Sequence, residues 1–372
     1  MKFLILNTDY LEFLHWLYSM NPRLEIQSYE EQMRVRNESL FGVADFYSSN
    51  LRKLGHEAYD IHVNNEFMQK AWAKEHGFKI TDSKWQFRLR RGIVPWISRV
   101  EDNSWFYKVL EAQIRHYRPH ILLNQAMDGI SSKFLGGVKP YVRLLVGQIA
   151  SPLPQHENLH LYDLIISSMP NFVDYFRKLG VPSELNRFGF EPSILEKIGE
   201  QDNRVVVSFV GSLSGMHKAR IQLLDYLCSK LDLRVWGNGI NGLQQNSSIR
   251  SKYKGTAWAI EMYQILSASR ITLNHHIDIA GSYANNMRLF EATGVGTLLV
   301  TDWKQNLHEM FEPGKEVVAY KTREECEELI QYYLAHDDER ACIAKAGQAR
   351  TLYNHTYYQR VQELVEIVHR YF

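Results

Sequence analysis

Arg288 and Glu291 stand three residues apart in the segment Ile271 to Asp302 (ITLNHHIDIAGSYANNMRLFEATGVGTLLVTD), which reads as a strand, a glycine-containing loop and a helix from about Ala284. That spacing puts both side chains on one helical turn. A guanidinium in that position can hold a phosphate, and a carboxylate can accept hydrogen bonds from ribose hydroxyls. The competing reading is an exposed helix ion pair. Gly294 and Gly296 close the helix and admit close backbone approach before the next strand. A second cluster lies in Val205 to Arg220 (VVVSFVGSLSGMHKAR), where an apolar strand ends at Gly211 and Ser212 and a helix follows with His217, Lys218 and Arg220. Backbone amides, a hydroxyl and cations meeting at one strand end make a cradle suited to a diphosphate. An ordinary strand-to-helix turn with a solvated basic face is the alternative.

Gly237, Gly239 and Gly242 spell the G-x-G-x-x-G of dinucleotide sites, but the polar stretch Gln244 to Lys252 (QQNSSIRSK) reads as a loop where that motif needs a helix. The G-x-x-x-x-G-K-[ST] and G-x-S-x-G patterns are absent from the sequence. In the first half, Asp9 follows the first strand, His15 lies in the aromatic run Tyr10 to Tyr18, and Asp128 follows a later strand. These are the candidates for a general base, with packing of His15 as its alternative. Lys84 to Trp96 (KWQFRLRRGIVPW) interleaves four cations with aromatic rings. Membrane-surface docking, single-stranded nucleic acid and a solvated loop all fit that pattern.

The elements that must position these groups alternate between short apolar runs and longer helical patterns, the grammar of an α/β protein with parallel sheets. Strands are expected at Phe3 to Leu6, Ala58 to Val63, Ile121 to Asn124, Leu144 to Ile149 and Asp163 to Ser167. The pattern restarts at Arg204 to Val210, Leu233 to Trp236, Ile271 to Asn274, Thr297 to Thr301 and Val317 to Tyr320. Helices are expected at Tyr29 to Leu54, Ser104 to Tyr117 and Asn171 to Leu179, and the turn-rich stretch Asn186 to Asn203 reads as a linker. Two doubly wound domains, 1–190 and 200–352, would then face each other across a cleft at the carboxyl ends of their strands. The last helix, from about Thr356 to Phe372 in the segment 353–372, carries one apolar face that needs a partner.

With 43 basic and 42 acidic residues the net charge is +1, so bulk attraction to nucleic acid or anionic lipid is not implied. The three cysteines lack metal-ligand spacing, and the Met1 to Tyr10 run is too short for a signal peptide, which together imply a cytoplasmic chain. Aromatic residues reach 12%, with 8 Trp and 21 Tyr, a surplus suited to stacking on sugars and bases.

The run Arg288-Leu-Phe-Glu291-Ala-Thr-Gly294-Val-Gly296-Thr297, with Thr301-Asp302 and Glu309 to Glu316, resembles the carboxyl-terminal domain of CgeB-type glycosyltransferases of the GT-B architecture. Phe209 to Ser212, Tyr253-Lys-Gly255, Glu261-Met-Tyr and Leu273-Asn274 extend the likeness, which covers most of 204–350. Leu54 to Glu57, Gly147 to Ala150 and Ser167 to Pro170 carry it more weakly into the first half. The resemblance implies two Rossmann-like domains, an acceptor side in front, a nucleotide-sugar donor side behind and a final helix crossing back onto the first domain. It also implies a donor site of Gly211, Ser212, His217, Arg220, Tyr253, Gly255, Asn274, Asn286, Arg288 and Glu291, with Tyr253 or Trp258 stacked on the base. Many retaining relatives carry a second glutamate eight residues before the ribose-binding one, and here that position is Tyr283.

The expected activity is transfer of a sugar from a nucleotide-sugar donor to a glycan, lipid-linked or other acceptor. Because no D-x-D occurs in the sequence, no essential metal is expected. A nucleotide-sugar 2-epimerase of the same fold and a non-catalytic glycan- or nucleic-acid-binding protein are the rival readings, since fold alone does not establish chemistry.

Overall fold

The computed structural model describes residues 1–80, 105–154, 157–199 and 205–372, and the backbone alone of 83–90, 94–101 and 104. The first strands are β1 (Lys2–Asn7), β2 (Glu57–His62), β3 (Ser83–Arg90), β4 (Val94–Glu101), β5 (Ile121–Asn124), β6 (Leu144–Gln148), β7 (Leu164–Ser167) and β8 (Ser183–Leu185). The later ones are β9 (Val205–Val210), β10 (Leu233–Trp236), β11 (Ser269–Leu273), β12 (Leu298–Asp302) and β13 (Val318–Tyr320). Among the described residues they form a six-stranded parallel sheet, β2-β1-β5-β6-β7-β8, and a five-stranded parallel sheet, β10-β9-β11-β12-β13. β3 and β4 pair separately as an antiparallel hairpin.

Parallel strands covered by helices on both faces read as unbroken apolar runs, and β1, β5, β7, β9 and β12 have that character. This is why ten strands were legible from composition alone. The short edge strand β8 has no such run, and the alternating segment around Lys84 did not read as a hairpin. The side chains of Lys84 to Trp96 lie outside the described residues, as do 200–203 of the expected linker and 204 of the strand expected after it.

The expected helix Tyr29 to Leu54 is two helices, Tyr29–Glu38 and Phe46–Lys53. Leu40, Gly42 and Ala44 between them all take positive φ, which a continuous helix cannot contain. The helix expected from Ala284 begins at Arg288, after Asn286 accepts a hydrogen bond from the Leu289 amide at 3.3 Å. The linker is more ordered than its turn residues suggest. It holds the helix Ser193–Ile198, and Phe190 bridges in parallel to Thr356.

Thr356 caps the last helix, Tyr357–His369, through a reciprocal capping box with Gln359. Its apolar face lies on the helix Phe46–Lys53 of the first unit, with the Tyr357 ring 5.1 Å from Phe46 and 5.6 Å from Tyr47. The chain thus crosses between units twice at one place. A Cβ on Gly189 would stand 2.8 Å from the Thr356 carbonyl carbon, so only glycine permits this approach of the two crossings. One apolar cluster runs through the junction, from Phe3 and Ile5 of the first sheet through Phe190 and Tyr357 to Val210 and Leu299 of the second.

Candidate functional site

A doubly wound sheet offers its crevice where the strand order reverses, because loops leaving adjacent strands there run in opposite directions. The reversal falls between β1 and β5 in the first sheet and between β9 and β11 in the second.

At the second reversal the loops after β9 and β11 are tied together by one side chain. Buried Arg220 donates to the His275 carbonyl from Nε at 3.1 Å and from Nη2 at 2.7 Å, and to the Ser212 carbonyl from Nη1 at 3.2 Å. Burial lowers its pKa to about 10, with Arg288 adding to the fall and Asp302 opposing it. The expected Gly211 and Ser212 turn is therefore present, with Arg220 beneath it as a strut, its hydrogen bonds committed to backbone.

Arg288 comes to the same place from the first turn of its helix. It donates to the Val210 carbonyl from Nη2 at 3.0 Å and meets the Met262 Sδ at 3.3 Å. Its Nη1 lies 2.8 Å from the Glu291 Oε2, with the side chains only 13% and 7% exposed. The pair is therefore not the exposed helix ion pair that spacing alone allows. The contact is close in charge but not aligned as a hydrogen bond, and Nη1 is buried without a hydrogen-bond partner. Burial raises the Glu291 pKa and Arg288 opposes the rise. A guanidinium with an unsatisfied N–H beside a desolvated carboxylate is a site short of one oxygen-rich ligand.

His217 precedes the helix Lys218–Cys228, buried, with Nδ1 unpartnered. Burial, aided by Arg220 and His275, lowers its pKa to about 4, so it is neutral at physiological pH. Asn274 and Asn286 are present but engaged. The side-chain amide of buried Asn274 donates to Thr301 Oγ1 at 2.9 Å and accepts from Asn286 Nδ2 at 2.7 Å.

Tyr253 and Gly255 stand beside the loop that holds Gly237. The Tyr253 hydroxyl donates to the Gly237 carbonyl at 2.9 Å, and the Gly237 amide donates to the Gly255 carbonyl at 3.0 Å. A Cβ on Gly237 would fall 1.8 Å from the Gly211 carbonyl oxygen, and one on Gly239 would fall 2.9 Å from Leu213 and Ser214. Gly237 and Gly239 thus serve contact between the β9 and β10 loops, while Gly242 has nothing within 4 Å of its Cβ. The single turn Ile240–Gly242 ends at the third glycine, and the next helix, Ile249–Lys252, is one turn that starts seven residues later within the stretch expected as a loop, so no helix opens at the third glycine.

Trp258 does not stack over this site. It is 9% exposed and packs into the first unit, 5.4 Å from the Phe41 ring and 6.3 Å from Phe13.

Sequence reasoning passed over Asp302, at the end of β12. It accepts from the His276 amide at 3.0 Å and His276 Nδ1 at 2.6 Å, and pairs with Lys304 at 3.2 Å. Burial works to raise its pKa, but His276, His275 and Lys304 outweigh that and hold the carboxyl below its usual range. The signal was available, since β11 and β12 are neighbours and one ends in Asn274-His275-His276. Ser168 and Asn285, hydrogen-bonded to each other between units, carried none.

In the first unit the three candidates for a base are placed very differently. The Asp9 carboxylate is fully buried, 2.5 Å from Arg36 Nη2 and 3.0 Å from His62 Nδ1. Burial would raise its pKa, yet His62 and Arg36 together depress it below the ordinary range. An enclosed carboxylate held ionised by two such partners accepts a proton less readily than an exposed one. His15 is exposed on the helix Leu11–Met20, and Asp128 is exposed after β5 beside Tyr10.

Residues 220–366 match the model of a family described as glycosyl transferase-like. No curated protein matches the chain. Among solved structures the chain is similar over its full length to HepE from Anabaena in complex with UDP-glucose, at TM-score 0.60 and 13% identity, with all of that chain covered. It is similar to a glycosyltransferase from Rickettsia africae at TM-score 0.58 and 12% identity, covering 100% of this chain and 98% of that one. Sucrose-phosphate synthase from Thermosynechococcus elongatus gives TM-score 0.57 and 11% identity, covering 100% and 99%. The fold is GT-B, two parallel-sheet α/β units with the last helix returned to the first. No helix among the described residues is long and apolar enough to cross a membrane.

Proposed function

We propose that the chain is a glycosyltransferase that takes a nucleotide sugar on the second unit and passes the sugar to a glycan, lipid-linked or other acceptor bound against the first. The observation that carries this reading is the Arg288 guanidinium, 13% exposed at the reversal between β9 and β11, its Nη1 paired in charge with Glu291 but without a hydrogen bond. The Gly211 and Ser212 turn and Arg288 would hold the diphosphate, Arg220 would brace the turn, and Glu291 would take the ribose hydroxyls. Neutral His217 would border the phosphates without adding charge. Likeness of residues 220–366 to the glycosyl transferase-like family supports the assignment.

In the reaction an acceptor hydroxyl oxygen bonds to the anomeric carbon while the bond from that carbon to the β-phosphate oxygen breaks. The diphosphate leaves with the electron pair and is stabilised by the guanidinium of Arg288. The hydroxyl proton passes to a base on the first unit, and Asp128 is the carboxylate whose exposure suits that role. We further propose that no divalent ion is required, because cationic side chains and amides meet the departing charge.

A thermal-shift screen against UDP, GDP, ADP, dTDP and their sugars in EDTA tests both statements. One nucleoside diphosphate should stabilise the protein, by about 2.7 kcal/mol at a hundredfold excess over Kd. Arg288→Gln should abolish that shift. A shift seen only with added magnesium or manganese would refute metal independence, and no shift with any nucleotide would refute the donor site.

A further inference from the structure

Trp258 connects two things that the fold otherwise keeps apart. On its amino side lie Tyr253 and Gly255, held against Gly237. On its carboxyl side the helix Ile260–Ser267 begins, and its first turn carries Met262, whose sulfur meets Arg288. The next residue, Tyr263, is fully enclosed beside Glu291 and Arg288. Between these two sets of contacts the indole leaves its own unit and enters a socket made by Phe13 and Phe41 of the other.

The socket is built to keep its shape. Phe13 and Phe41 stack with centroids 3.9 Å apart. Arg36 lies over the Phe13 ring at 5.6 Å and donates to the Phe41 carbonyl at 3.3 Å. The same guanidinium is fixed by buried Asp9. Ala259, directly after the indole, sits at φ 60° and ψ −135°, a region in which an L residue with a Cβ is strained. Strain of that kind persists only where surrounding contacts over-determine the backbone. Here the constraints are the indole on one side and the helix start on the other.

We infer that Trp258 is a positioning residue for nucleotide binding, and that the first unit contributes to nucleotide affinity through the Phe13 and Phe41 socket without touching the ligand. The inference rests on the donor site proposed above. With the indole seated, the chain from Tyr253 to Met262 has one path, and the Gly255 loop and the Arg288 contact are fixed together. With the socket emptied, Ala259 relaxes, the helix start shifts and both sets of contacts loosen at once.

The test is calorimetric titration of the full chain with whichever of UDP, GDP, ADP and dTDP the wild type binds. Phe41→Ala, in the other unit, should weaken binding about tenfold, Trp258→Ala should do the same, and the double variant should be no worse than either single one. Trp258→Phe, a milder change that keeps a ring in the socket, guards against loss of folding and should give an intermediate value. Lower melting temperatures with affinities unchanged within about twofold, or losses that add in the double variant, would overturn the inference while leaving the donor site standing. A wild type that binds none of the four nucleotides would overturn both.

Discussion

His355 is held neutral by its neighbours. Its Nε2 lies 2.8 Å from the Met310 carbonyl and so carries the hydrogen, while Arg360 Nη2 approaches Nδ1 at 2.6 Å and fills its lone pair. Burial above all, with Arg360 helping and the Met310 contact opposing, lowers its pKa to about 4. His217 is lowered to about 4 as well, by burial and Arg220. Between that value and the ordinary 6.5 the unfolded chain binds protons that the folded chain does not. Stability contributed by these imidazoles is therefore complete above 6.5, falls as pH drops below it, and is lost near 4. Glu291 and Asp60, whose pKa values burial raises, act in the opposite sense at the acid end. The expected result is a falling urea midpoint from pH 6.5 to 4, with a smaller fall in His355→Asn. An equal slope in wild type and variant would contradict this account.

At the scale of elements, the loops after β9 and β10 depend on close backbone approach. Gly237→Ala places a methyl group inside the van der Waals radius of the Gly211 carbonyl oxygen, at a backbone φ of 151°. We expect a loss on the order of 3 kcal/mol, read as a lowered urea midpoint, together with loss of nucleotide binding. Gly242→Ala, at a glycine with nothing within 4 Å of its Cβ, is the matched control and should change neither by much.

These loops also mark what could be read in advance. β1, β5, β7, β9 and β12 were legible because burial on both faces makes a strand nearly uniformly apolar. The Arg288 and Glu291 pair was legible from helical spacing. Its burial was not, because burial is set by Met262 and Val210, far away in sequence. The partners of Asp9 and Trp258 were not legible for the same reason. A carboxylate at a strand end reads alike whether it faces solvent or meets Arg36 and His62, and an aromatic residue beside a base loop does not announce that its socket is in the other unit.

At the scale of the molecule, the two units share one continuous apolar cluster, and the last helix belongs by sequence to the second unit and by packing to the first. The units should therefore unfold together. Urea denaturation followed by far-UV circular dichroism and by tryptophan fluorescence should give coincident single transitions. Tyr357→Ala, which removes a ring that lies against Phe46 and Tyr47, should cost about 3–5 kcal/mol and separate the two curves. Two transitions in the wild type would show instead that the shared cluster does not couple the units.

The close contact of Gly189 with Thr356 and Tyr357 sets the mechanics of the whole. Two connections joined side by side behave as the two knuckles of a door hinge. They leave bending about their common line as the soft direction, and they resist both sliding and twist. For the reaction proposed above, opening to admit a donor and closing to bring it to an acceptor would then be one degree of freedom, with the alignment of the two lips of the cleft kept.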